Sequence, residues 1–166
     1  MSQLEKEFGK IYDKSVDKIY RFIYLKVNSQ EIAEDLTSET FTRGWEAFQK
    51  QASKIDNPQA FLYQIARNLV TDQYRQKAQA QFVSMESVPQ AQSREKSLEE
   101  IAMLTSDVGR IKAALAKVND NYREIIVWYY LDEFTVPEIA KILNKSEEAV
   151  RVVIHRALKA LRAELQ

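Results

Sequence analysis

Cysteine is absent from this chain of 166 residues. Its absence excludes disulfides, thiolate nucleophiles and cysteine-ligated metals, and it fits a reducing compartment. Glycine and proline are scarce, at three each, too few turn-formers for a many-stranded sheet. There is one histidine and no glycine-rich phosphate loop, HExxH run or paired-carboxylate signature. No enzymatic chemistry, metal, cofactor or small-molecule substrate is therefore expected. Apolar runs are only a few residues long and the start, "MSQLEKEFGK", is too charged for a secretory signal, so the expected location is cytoplasmic. Net charge is lacking too, since 24 lysines and arginines balance 24 acids.

What is abundant is Ala, Leu, Glu, Lys, Gln and Arg, together with 45% apolar content. That composition predicts an all-α fold with a real core. From 8 to 27, Phe8, Ile11, Tyr12, Val16, Ile19, Tyr20, Ile23 and Val27 recur at steps of three and four, the mark of one amphipathic helix. A second helix starts at Ser29, an N-cap with Ile32 as N3, and runs through Leu36, Phe41, Trp45 and Phe48. A third follows "DNP", with Asn57 as cap and Pro58 in the first turn, and carries Phe61, Leu62, Ile65 and Leu69.

Residues 5 to 77 thus read as one helical domain, and 78 to 109 as a linker rich in Gln, Ser and Ala with Pro89 near its middle. Charge supports the boundary. The segment 1 to 77 carries 12 basic and 11 acidic groups, 78 to 109 carries 2 and 5, and 110 to 166 carries 10 and 8. Neutrality therefore hides an acidic connector between two faintly basic units, a pattern that a solvated tether explains equally well.

The remaining segment, 110 to 166, reads as a second domain. Ile111, Leu115 and Val118 make a short stripe, and "YREIIVWYYLDEF" makes a strongly apolar helix. Thr135 and Glu138 form the capping box of "VPEIAKIL", whose inner face is Ile139, Ala140 and Leu143. Asn144 suits a left-handed turn, and Ser146 caps a last helix whose Glu147 and Glu148 favour its dipole. A short helix, a tight turn and a longer helix make a helix-turn-helix. On the longer helix Val150, Ile154, Ala157 and Leu161 form the stripe to be buried, while Arg151, His155, Arg156, Lys159 and Arg162 fall opposite. Those cations either serve the helix C-terminus or face a polyanion.

Three stretches in this order, "AEDLTSETFTRGWEAF", "FLYQIARNLVTDQYRQK" and "AVRVVIHRALKALR", resemble the extracytoplasmic-function sigma factors of bacteria. The resemblance covers nearly the whole chain. It implies a subunit of two small helical domains that binds core RNA polymerase, by the clamp coiled coil of the largest subunit and by the flap, and directs it to promoter DNA. It further implies that Glu34, Asp35, Leu36, Glu39, Arg43 and Trp45, with Phe41, meet the clamp. Leu36, Phe41 and Trp45 are equally candidates for core, which leaves Glu34, Asp35, Glu39 and Arg43 as the exposed members.

The third helix and its preceding loop resemble the part that opens and reads the minus-ten element. Lys50, Lys54, Arg67 and Arg75 would meet backbone, and Asn57, Asn68 and Tyr74 would hydrogen-bond or stack. Arg67 and Arg75 have the plainer alternative of pairing with Asp72 and other acids. The last helix resembles the minus-thirty-five reader, with Arg151, Val152, His155, Arg156 and Lys159 at DNA. Here the chain departs from the family: a frequent glycine-threonine pair is Glu148 and Ala149, and positions that are often basic are Leu158 and Ala160. Fewer phosphate contacts follow, and Val152 is placed for a thymine methyl. An anti-sigma partner is a further possibility. Two other functions fit part of the pattern: a free-standing helix-turn-helix regulator, and a helical adaptor that binds polymerase without reading promoters.

Overall fold

The structure, a computed structural model, describes residues 2–83 and 107–166, with side chains described to residue 78 in the first segment and from 107, except at 108, in the second. Most of the expected linker, including Pro89, lies outside the described residues. Among those described there are helices and turns but no strand, and no helix is long and apolar enough to cross a membrane.

The N-terminal half is three long helices: α1 Gln3–Val27, α2 Gln30–Gln51 and α3 Pro58–Val83. Their ends are set locally. Ser2 Oγ accepts from the Glu5 amide at 3.1 Å, Ser29 Oγ from the Ile32 amide at 3.3 Å, and Asn57 Oδ1 from the Ala60 amide at 3.0 Å, so each first turn has an orphan donor satisfied. Asn28, left-handed at φ 52°, turns the chain from α1 into α2. The hydroxyls of buried Thr37 and Thr40 donate to the carbonyls of Ala33 and Leu36, which lets polar residues enter the core without an unpaired group. α2 and α3 meet at Gly44, where a Cβ would lie 2.5 Å from Leu62 Cδ2. α3 runs past residue 77, so the expected linker begins inside a helix.

The C-terminal half has α4 Asp107–Lys117, α5 Asp120–Ile126 with a wider π-type turn Val127–Leu131, α6 Val136–Leu143 and α7 Glu147–Leu165. Arg123 donates to the carbonyls of Leu115, Ala116 and Val118, closing the C-terminal end of α4 with a cation where the helix dipole favours one. Ile111, expected in the α4 stripe, is 45% exposed; Ala114, Leu115 and Val118 are the buried side. α6 opens with the predicted capping box, Thr135 with Glu138, and ends at Asn144 at φ 53°. Its fully packed face is Ile139, Ala140 and Ile142, with Leu143 half-buried.

The halves are packed against each other, which the reading as tethered domains did not anticipate. Trp128, with no exposure, stacks on Phe22 of α1 at 5.3 Å between centroids and meets Tyr63 of α3 edge-on at 5.8 Å. Tyr63 also meets Phe134 edge-on at 5.3 Å. Offset and edge-to-face aromatic pairs of this kind each contribute about 0.5–1.5 kcal/mol beyond burial. One core thus runs across both halves.

Candidate nucleic-acid interface

On α7 the expected division holds. Val150, Ala157 and Leu161 are buried, Ile154 and Val153 are half-buried, and Arg151, Val152, His155, Arg156 and Lys159 are exposed. Ser146 Oγ accepts from the Ala149 amide at 3.1 Å, fixing where the helix begins, and hence which side chains face outward. Arg151 lies 3.8 Å from Glu147 in an exposed i, i+4 pair, weak enough to be exchanged for a phosphate. Val152, 47% exposed, gives this basic face an apolar point.

On α2 the residues Glu34, Asp35, Glu39 and Arg43 are exposed, Leu36 and Trp45 are half-buried, and Phe41 is 6% exposed. Phe41 is therefore core. Arg43 Nε donates to Glu39 Oε1 at 2.8 Å and Glu34 accepts from the Gln30 amide group at 3.0 Å, so the charges form a pre-arranged rim. Between α1 and α2 lies an open groove lined by Phe8, Tyr12, Phe41 and Trp45. An apolar cleft beside a charged rim is the anatomy of a protein-binding surface.

The third set divides. Lys50, Lys54 and Asn68 are exposed, Asn57 is half-buried as the cap of α3, and Arg75 lies 3.8 Å from Asp72 in an exposed pair. Arg67 reaches the other half of the molecule, whereas Tyr74 bonds within its own half, near the charges of Asp120 and Glu124. Arg67 Nε donates to Glu124 Oε2 at 2.7 Å and Nη2 to Oε1 at 3.4 Å, with Glu124 3% exposed. Its partner in this structure is thus not Asp72 but a buried acid from α5. The hydroxyl of Tyr74 donates to the Lys26 carbonyl. Burial, followed by the field of Asp120, raises the Tyr74 pKa above its ordinary value.

Residues that sequence reasoning passed over hold this contact. Lys26 Nζ lies 3.2 Å from Glu124 and 3.1 Å from Asp120, and Arg21 pairs with buried Asp132, which also accepts from the Tyr63 hydroxyl at 3.4 Å. Burial pushes the Tyr63 hydroxyl well above its usual pKa, with the field of Arg21 opposing. At the edge, Lys141 of α6 donates to Asp56 at 2.9 Å, and that hydrogen bond and charge hold the Asp56 carboxyl below its usual value. Gln64 donates to the carbonyls of Lys141 and Ile142 at 3.1 and 3.3 Å. Among the described residues no group of three or more His, Asp or Glu could hold a metal ion.

These surfaces sit on an all-helical frame that ends in a helix-turn-helix, and comparison with known proteins makes the class that of the sigma-type transcription proteins. Residues 11–80 match the family model for sigma-70 region 2, and residues 109–161 that for sigma-70, region 4. The chain is 31% identical over 170 residues to the ECF RNA polymerase sigma factor SigW of Bacillus subtilis, covering 96% of this chain and 89% of SigW. It is 30% identical over 154 residues to the ECF RNA polymerase sigma factor BldN of Streptomyces coelicolor, spanning 58% of that longer protein. In fold it is similar to the sigma factor RpoE from Bartonella quintana, solved with the anti-sigma factor NepR, at TM-score 0.73 and 21% identity over 96% of this chain and 97% of that one. CnrH, solved with the cytosolic domain of CnrY, gives 0.67 at 23% identity over 97% and 88%. The chain belongs to the ECF RNA polymerase sigma factors, whose function is promoter-specific transcription initiation through RNA polymerase.

Proposed function

We propose that the chain carries out promoter-specific initiation with three surfaces. Residues 5–77 form the domain that docks on core polymerase and opens the minus-ten element, 78–109 the connector, and 110–166 the domain that reads the minus-thirty-five element. The exposed α2 rim, Glu34, Asp35, Glu39 and Arg43 with Leu36 and Trp45 beneath, meets the clamp coiled coil. Lys50, Lys54, Asn57, Asn68 and Arg75, with Arg67 and Tyr74, take the minus-ten strand. Arg151, His155, Arg156 and Lys159 take phosphates and base edges at the minus-thirty-five element, with Val152 at a thymine methyl. The flap is the second polymerase contact, for the C-terminal domain. The observation that carries the reading is α7, whose basic face is exposed while Val150, Ala157 and Leu161 of its apolar stripe are buried and Ile154 is half-buried.

No cofactor and no reaction of the chain's own enter this reading, and its place of action is that of RNA polymerase, the cytoplasm. RpoE was solved with the anti-sigma factor NepR and CnrH with the cytosolic domain of CnrY, which supports an anti-sigma factor as a partner here. The test is transcription in vitro with sigma-free core polymerase on fragmented DNA of the host, with start sites mapped. Starts sharing two spaced upstream motifs are expected, and charge reversal at Arg151 and Arg156 should abolish them. Polymerase binding without specific starts would favour an adaptor, and tight promoter binding by the free protein a stand-alone regulator.

A further inference from the structure

One acid interrupts the basic face of α7. Glu148 is exposed and, among the described residues, has no ion-pair partner, whereas its neighbour Glu147 lies 3.8 Å from Arg151. Ser146 caps the helix and Glu147 opens it, so Glu148 stands in the first turn. The helix dipole favours an acid there, but it does so equally at Glu147 and does not set which way Glu148 points. Periodicity does. At about 100° per residue, Val152, His155 and Lys159 fall within about 40° of Glu148, and Arg151 and Arg156 flank it at about 60° and 80° on either side. The carboxylate therefore heads the centre of the stripe assigned to promoter DNA.

On a face that met only phosphates, a lone acid at the centre would be repelled, and the exposed Val152 beside it would contribute nothing. Both residues fit base edges. In helix-turn-helix docking the N-terminal residues of the second helix reach the bases in the major groove. A carboxylate there needs a donor. The cytosine N4 amino group offers one, while adenine sets its N6 donor beside the N7 acceptor, and guanine and thymine present acceptors.

We infer that Glu148 is a specificity-determining residue of the minus-thirty-five contact, its carboxylate accepting a hydrogen bond from the N4 amino group of a cytosine. The helix also places that cytosine. From Glu148 to Val152 the axis rises about 6 Å, and base pairs repeat about every 3.4 Å. The cytosine thus lies within about two base pairs of the thymine whose methyl meets Val152. Flanking Arg151 and Arg156 supply the phosphate contacts that bring the carboxylate to the groove. The acid lowers affinity on every sequence that lacks the amino group, so it acts by rejecting wrong bases rather than by strengthening binding. This inference rests on the sigma reading above and refines its C-terminal surface.

The test is transcription by full-length protein with core polymerase on a pool of templates built on one mapped promoter. The minus-thirty-five element is randomised, each template is barcoded in its transcribed region, and the transcripts are sequenced. Wild-type protein should select cytosine at one position by about tenfold over the other bases. Glu148→Ala should flatten that position to within about twofold while every other preference stays. Glu148→Gln should move it toward adenine, whose N6 and N7 suit a glutamine amide. Retained preferences elsewhere show that each variant folds and initiates. A wild-type profile without that cytosine, or an unchanged profile in Glu148→Ala, would overturn the inference. So would a uniform gain in output on all templates, the signature of an acid that merely repels phosphates, or loss of all specific transcripts by both variants with helical signal and melting unchanged. If wild-type protein itself gave no specific starts, the sigma reading would fall instead.

Discussion

Replacing Trp128 by alanine tests the packing of the two halves. The side chain is fully buried, and an aromatic of its size removes roughly 150–250 Å² from water, worth about 4–6 kcal/mol as an upper bound at ~25 cal/mol per Å². Measured Trp→Ala and Phe→Ala losses fall near 3–5 kcal/mol because the cavity partly relaxes. One term opposes: the indole Nε1 has no hydrogen-bond partner, and removing a buried unpaired donor returns about 1 kcal/mol or more. The net expectation is a loss of about 3 kcal/mol. At a urea slope of about 2 kcal/mol per M this lowers the unfolding midpoint by about 1.5 M, read by circular dichroism at 222 nm. Part of that loss would arise within the C-terminal half, so the deciding measurement is a double-mutant cycle with Phe22→Ala. Stacking at 5.3 Å predicts a coupling of about 0.5–1.5 kcal/mol. A coupling near zero, or two separate unfolding transitions, would refute the single shared core.

Other outcomes follow from single features. Tyr63 has a folded pKa raised by burial, so its neutral form supports the fold fully below its unfolded value, about 10, and that support is lost as pH rises through the folded value. Tyr63→Phe should therefore lose stability less steeply than wild type above about pH 10, and parallel pH curves from thermal melts would contradict this. Gly44→Val forces a side chain into space where even a Cβ lies 2.5 Å from Leu62 Cδ2; a loss of about 1–3 kcal/mol is expected, lowering Tm by several degrees, and an unchanged Tm would show that α2 and α3 are not so close. Arg156→Ala, on the exposed face of α7, should lower the log–log salt slope of polymerase–promoter binding by about one, whereas an unchanged slope removes Arg156 from the phosphate contacts.

The helices and their ends were legible because their causes are local. Ser29, Asn57, Thr135 with Glu138, Asn144 and Ser146 each act within four residues of themselves, and each takes the predicted part. The α7 faces were legible for the same reason, since a period of 3.6 sorts Val150, Ala157 and Leu161 from Arg151, His155 and Arg156. Ile111 shows the limit, since periodicity names an apolar face but not how far the neighbour reaches. The contact between halves was not legible because it joins Arg67 to Glu124 and Tyr63 to Trp128, pairs with no fixed spacing. Nor did the apolar run "IIVWYYL" mark it, because Trp128 packs on Phe22 and Tyr63 while Tyr129, Tyr130 and Leu131 of the same run are exposed.

Charge balance now has a structural reason. By segment the two halves differ little in net charge, yet across the contact their charges are sorted: cations Arg21, Lys26 and Arg67 come from the N-terminal half, and acids Asp120, Glu124 and Asp132 from the C-terminal half. Lys141 and Asp56 reverse the order at the rim, so the docking has a register as well as a sign. Docking thus neutralises Arg21, Lys26 and Arg67 with acids of the same chain, so fewer cations of the N-terminal half are free to meet a polyanion than its sequence alone suggests.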